Sequence, residues 1–136
     1  MIDHLSSAND KGKLSTVEIL TLFSSNTIKC LDNLIEIFID GKERENLIAF
    51  RVGFELFPID ESMSLFAERI IPLRKAIDAR SDEFFLDKKK SFKLTIGDFE
   101  LDWKALWESR YLNQEDRATI WKFMKLFLGL AEMYMG

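Results

Sequence analysis

Apolar residues between Ser15 and Asp40 recur every three or four positions, and polar residues occupy the opposite side of the same pattern. This spacing predicts an amphipathic helix. Ser15 stands three residues before Glu18, which is the spacing of a capping box and marks the start of the helix. Asp40 and Gly41 mark its end. The apolar positions are Val17, Leu20, Ile28, Leu31, Ile35 and Phe38.

Residues 47–57 fit two patterns. One set of apolar residues has helical spacing and the other alternates as in a strand. We favour a helix that Pro58 would end, with the strand as the alternative. The helical set is Leu47, Phe50, Phe54 and Phe57, and the alternating set is Ile48, Phe50, Val52, Phe54 and Leu56.

A third helix is predicted after Pro58, with Asp60 as its N-cap. Pro72 falls inside the apolar pattern of this helix. Because proline lacks a backbone N–H and clashes with the preceding turn, it predicts a kink or a break after Ile71. The apolar positions keep their register across Pro72, which favours a kink. They are Met63, Phe66, Ile70, Leu73 and Ile77.

The segment "SFKLTIGDFELDW", residues 91–103, alternates on both sides of Gly97 and Asp98. A two-residue turn there predicts a short β-hairpin over residues 92–101, in which every cross-strand pair matches in polarity. A helix would then begin near Trp103. The predicted pairs are Ile96 with Phe99, Thr95 with Glu100, Leu94 with Leu101, Lys93 with Asp102 and Phe92 with Trp103.

The last predicted helix, residues 114–135, begins with Asn113 as N-cap and Asp116 three residues later. It carries two apolar stripes and only a narrow polar seam, so it should be central in a helical bundle or covered by a partner. The first stripe is Ile120, Trp121, Met124, Leu128 and Ala131, and the second is Phe123, Leu126, Leu130 and Met133.

A chain of 136 residues that is 47% hydrophobic, with 6 Gly and 2 Pro, is typical of one packed domain. We predict a mainly α fold: a single-domain bundle of about five helices around a buried C-terminal helix, with the hairpin as a small insert. Residues 1–13 lack periodic apolar positions, which predicts a flexible tail before a domain at 14–136.

The residues that commonly carry catalysis are scarce. The chain has one His, His4, and one Cys, Cys30, far apart, and it has no glycine-rich phosphate loop. We therefore predict no catalytic residues, no metal, no cofactor and no small-molecule substrate, and we expect that the protein is not an enzyme. Without a signal-peptide pattern or a long apolar span, we also expect no membrane insertion and no secretion.

Two groups of residues are candidates for binding. Aromatic side chains anchor many protein interfaces, and the candidates of this kind are Trp103, Trp107, Phe84 and Phe85. Core packing is the alternative for the tryptophans. Basic residues that could contact phosphates are Lys88, Lys89, Lys90 and Arg74, although acidic residues are interleaved with them and the net charge is -4.

Three motifs occur in order: "IIPLRKAIDARSDEFFL", "LDWKALWES" and "DRATIWKFMKLFL". In order and spacing, the region from Ile28 to Phe127 resembles small uncharacterised helical proteins of giant viruses, the nucleocytoplasmic large DNA viruses. The chain departs from their pattern at "RVGFELFP" and "KLTIG". The resemblance implies a viral protein located in the cytoplasm of an infected host cell or in the virion, and it supplies no catalytic residues.

These observations predict a non-enzymatic interaction, structural or adaptor protein that acts through apolar helix faces and docks on itself or on a viral or host protein. The alternative is a nucleic-acid accessory factor that uses the lysine loop and the basic third helix. A Bcl-2-like helical regulator is a third interpretation, although the Asn-Trp-Gly-Arg type of motif is absent.

Overall fold

A computed structural model describes residues 14–81, 85, 93–96 and 98–136. The mainly helical fold with one small antiparallel sheet is confirmed. The predicted tail at 1–13 lies outside the described residues. The helices are α1 (Thr16–Ile37), α2 (Lys42–Leu56), α3 (Ile59–Ile70), α4 (Arg74–Asp78), α5 (Trp103–Trp107) and α6 (Gln114–Met135), and the strands are β1 (Lys93–Ile96) and β2 (Phe99–Asp102).

The predicted capping box at Ser15 is present, and the predicted N-cap Asn113 forms a second capping box with Asp116. The Glu18 backbone N–H donates to Ser15 Oγ at 3.1 Å, and the Ser15 N–H donates to the Glu18 carboxylate at 2.8 Å. At the start of α6 the Asp116 N–H donates to Asn113 Oδ1 at 2.8 Å, and the return bond is 3.1 Å. These bonds satisfy backbone donors that have no partner inside the helix.

Residues 42–56 form a helix, so the helical interpretation of this region is confirmed. Phe50 and Phe54 pack in the core, whereas Ile48, Val52 and Leu56 point to solvent. The alternating pattern in the sequence arises because α2 is apolar on its buried face and also on its opposite face.

The predicted N-cap of α3 is wrong. Pro58 is the cap residue and Asp60 lies in the first helical turn, where its carboxylate faces the positive end of the helix dipole. Pro72 interrupts the helix as predicted, in the form of a single 3-10 turn over Ile71–Leu73 between α3 and α4. The tighter turn accommodates a residue that cannot donate a backbone hydrogen bond.

The hairpin has the predicted register: Lys93 pairs with Asp102, and the next three Cα pairs follow without a slip to Ile96 and Phe99. Gly97 and Phe92 lie outside the described residues. Trp103 begins α5 directly after β2, and the Asp102 side chain accepts from the Lys104 N–H at 3.0 Å as the cap.

The last helix packs against α1, α3 and α4, which places it at the centre of the bundle as predicted. Its first apolar stripe is buried throughout. The second stripe is divided: Leu130 is buried, but Leu126 and Met133 are 39% and 42% exposed. No helix among the described residues has an apolar stretch long enough to cross a membrane.

Candidate functional site

The predicted interaction aromatics form a cluster inside the molecule. The Phe85 ring centroid lies 4.3 Å from that of Trp107, 5.1 Å from Trp121 and 5.5 Å from Trp103. All four side chains are buried. These buried side chains present no surface to a partner in this structure. Trp103 and Trp107 have the core position that was the alternative to an interface, and Phe85 packs in the core with them. Phe84 lies outside the described residues.

Arg74, the predicted phosphate contact on α4, is engaged with carboxylates. Its guanidinium donates to Glu132 of α6 and lies 3.5 Å from the Asp78 carboxylate. The hydrogen bond to Glu132 and the charge of that carboxylate raise the pKa of Arg74. Lys88, Lys89 and Lys90 lie outside the described residues. The structure therefore gives Arg74 a role in joining α4 to α6.

An exposed apolar surface runs along α2. Ile48, Val52 and Leu56 are spaced four residues apart and are 41%, 47% and 80% exposed. We call these three residues the α2 stripe. With 100° between successive residues, the stripe lies opposite the face that carries Leu47, Phe50 and Phe54. A helix that is apolar on both faces is expected to be covered on both.

Charged side chains border the α2 stripe. Arg51 Nε donates to Asp32 of α1 at 2.5 Å, and Arg51 Nη1 donates to Glu55 at 2.7 Å. Glu45 lies on the same face one turn before Ile48, at the N-terminal end of the stripe. Exposed ion pairs contribute little to stability, so this border chiefly sets the charge pattern around the apolar surface.

A second feature is a cavity of about 470 Å³ between the hairpin and the helices, which we call the core cavity. The described lining comes from α1, α2, α3, α5, α6 and both strands. Most of it is apolar and aromatic. The lining residues are Phe23, Thr27, Cys30, Leu31, Phe50, Phe54, Ser62, Leu65, Phe66, Glu68, Arg69, Thr95, Ile96, Leu101, Trp103, Met124 and Phe127.

Three residues of the lining each carry a buried polar atom that has no hydrogen-bond partner among the described residues: Thr27 Oγ1, Ser62 Oγ and Trp103 Nε1. They come from α1, α3 and α5. Buried polar groups are nearly always hydrogen-bonded because leaving them unpaired forfeits their solvation. Three such atoms around one cavity mark it as the strongest candidate for a ligand site in the described part of the chain.

Cys30 also lines the core cavity, with its thiol buried. Burial raises the pKa of the Cys30 thiol to about 12. The nucleophilic form of cysteine is the thiolate, so this side chain is an apolar wall element at neutral pH.

Within the described residues no group of three or more His, Cys, Asp or Glu residues could hold a metal ion. The chain matches no protein family, and no curated protein or solved structure is significantly similar to it. The resemblance to giant-virus proteins therefore stays a prediction.

Sequence reasoning missed both the α2 stripe and the core cavity. The signal for the stripe was present, because the alternating apolar residues of 48–56 cannot all face one core if the segment is helical. The cavity had no comparable signal: its walls come from elements separated by up to about a hundred residues, and periodicity in one element does not report how well several elements fill a shared space.

Proposed function

We propose that this protein is a non-enzymatic interaction domain that pairs with a second copy of itself through the α2 stripe. The observation that supports this proposal is the exposure of Ile48, Val52 and Leu56 on the outer face of a helix whose inner face is already in the core. Full burial of an aliphatic side chain that starts exposed is favourable by about 1.5–3 kcal/mol, and each residue of the stripe would gain in proportion to its part that is still exposed.

The stripe suits a two-fold contact. Ile48 and Leu56 lie four residues on either side of Val52, so an antiparallel pair of α2 helices with its axis at Val52 places Ile48 of one copy against Leu56 of the other. The same axis brings Arg51 of one copy close to Glu55 of the second. The border charges are therefore complementary across a self-contact.

The Val52→Glu variant tests this proposal. Sedimentation velocity or light scattering over a range of concentrations should show a dimer for the wild-type protein and a monomer for Val52→Glu. In a dimer of the variant, the glutamates of the two copies would be buried next to each other at the two-fold axis, which is unfavourable. Val17→Glu is the matched control: it introduces the same charge at an exposed valine of α1, and this variant should dimerise like the wild type.

A monomeric wild-type protein at all concentrations would refute the self-contact, as would a dimer that survives Val52→Glu. If the wild type is monomeric, the apolar stripe would instead be available to a different protein. We do not favour the nucleic-acid alternative, because Arg74 is paired with Glu132 and Asp78.

A further inference from the structure

We propose that the core cavity binds a small, uncharged, mainly apolar molecule that carries one oxygen hydrogen-bond acceptor, such as an aromatic ketone. This site is separate from the α2 stripe and goes beyond a role in protein pairing. Its volume of about 470 Å³ lies within the range of roughly 300–1,000 Å³ that small organic ligands occupy in proteins.

The aromatic rings that line the cavity predict a flat, apolar ligand. Rings from α1, α2, α3 and α6 line the cavity, and Phe23 contacts Phe54, Phe66 and Phe127 with centroids 5.6 to 5.9 Å apart. Aromatic surfaces of this kind bind flat apolar molecules through edge and face contacts. A flexible, highly polar metabolite would leave these rings poorly covered.

Trp103 predicts that the ligand carries a hydrogen-bond acceptor. The indole N–H is only a donor, it is buried at 3% exposure, and it has no acceptor among the described residues. A carbonyl oxygen on a ligand would satisfy it. The hydroxyls of Ser62 and Thr27 can each donate or accept, so they can adapt to the same oxygen or to a neighbouring polar atom.

The charged residues of the lining predict a ligand without net charge, because neither of them is buried in the cavity. The two ionisable charged residues in the described lining, Glu68 and Arg69, are adjacent, exposed and opposite in sign. Neither supplies a buried counter-charge. Because an unpaired charge is costly to bury, the cavity favours a neutral molecule over a carboxylate of similar size.

Fluorescence titration with prodan tests the site. Prodan is a neutral naphthalene ketone whose emission shifts to the blue in apolar surroundings, and 2-(dimethylamino)-6-propylnaphthalene, in which a methylene group replaces the carbonyl, is the matched probe. We expect saturable binding of one prodan per chain, and about tenfold weaker binding of the probe that cannot accept the hydrogen bond.

Trp103→Phe keeps an aromatic ring and removes the N–H donor. This variant should bind prodan about tenfold more weakly than the wild type does, with an unchanged affinity for the probe without the carbonyl. Trp121→Phe is the control, since Trp121 is a buried indole outside the described cavity lining. Ser62→Ala is a second, milder variant should Trp103→Phe fail to fold, and prodan should bind it severalfold more weakly.

No saturable prodan binding would overturn the proposal, and so would equal affinities for the two probes on the wild-type protein. Stronger competition by decanoate than by a neutral ketone of the same length would overturn the preference for an uncharged ligand. The Val52→Glu variant should bind prodan as the wild type does, so failure of the cavity site and failure of self-pairing are distinguishable.

Discussion

Cys30 lies on α1 with 4% of its surface exposed, and its thiol forms part of the wall of the core cavity. Its neighbours in that wall include Thr27 on the preceding turn, whose hydroxyl is buried without a partner. Residue type alone would make Cys30 a possible nucleophile. Burial instead raises its pKa to about 12 and keeps it protonated, so its environment decides its chemistry.

The buried thiol should make stability depend on alkaline pH. In the unfolded chain Cys30 ionises near pH 9.0, whereas in the folded protein it stays protonated to about pH 12. The unfolded state therefore binds fewer protons in this window, and the free energy of unfolding should fall as pH rises, by up to about 1.4 kcal/mol per pH unit from this group.

Urea unfolding of the wild type and of Cys30→Ala, at about pH 8 and about pH 10.5, checks this dependence. The variant shares every other titrating group and is the internal control. The stability advantage of the wild type over the variant should shrink at the higher pH. An advantage that is equal at both pH values would contradict a buried, protonated thiol.

At the scale of elements, α2 connects three parts of the molecule. Its inner face packs in the core, its outer face carries the α2 stripe, and the hairpin packs against it at Gly53. A Cβ atom built at Gly53 would lie within 3.0 Å of three ring atoms of Phe99 on β2. The absence of a side chain at this position thus allows the sheet to approach the helix.

Gly53→Ala should therefore destabilise the protein by about 1–3 kcal/mol, because the Phe99 ring and β2 would have to shift. Gly129→Ala is the matched control in the interior of α6, where a Cβ would meet no atom within 4 Å. The control should stabilise by up to about 1 kcal/mol through its better helix propensity. Denaturant unfolding of both variants measures the difference, and similar effects of the two substitutions would contradict the close contact.

At the scale of the whole molecule, Phe85 lies between α4 and β1 in the sequence, and its own side chain packs in the core. It contacts indoles from α5 and α6, and it is fully buried. The Phe85 ring therefore joins α5 to α6 in the core.

Phe85→Ala should lower the free energy of unfolding by about 3–5 kcal/mol, since it leaves a cavity among three tryptophans. Phe85→Leu should cost less, and Val17→Ala, which truncates a side chain that is 73% exposed and lies outside the α2 stripe, should change stability by no more than about 0.5 kcal/mol. Chemical denaturation followed by tryptophan emission gives these values. A Phe85→Ala variant as stable as Val17→Ala would contradict the packing of this cluster.

Much of the fold could be predicted because its signals are local. The capping boxes at Ser15 and Asn113 each involve residues three positions apart, and the hairpin register follows from matching alternate residues across one short turn. The break at Pro72 follows from the missing N–H of proline. In each case the determining contacts lie within a few residues along the chain.

The sites could not be predicted in the same way. The sequence by itself determined that α2 carries apolar residues at alternate positions and that Cys30 is a lone thiol, and it left Trp103 and Trp107 as candidates for either an interface or the core. Only the tertiary structure decided that the tryptophans are buried, that the α2 stripe is exposed, and that three unpaired polar atoms surround one cavity. The reason is physical: exposure and cavity volume depend on how distant elements pack, whereas the local pattern of α2 shows only that both of its faces are apolar and not which of them is covered.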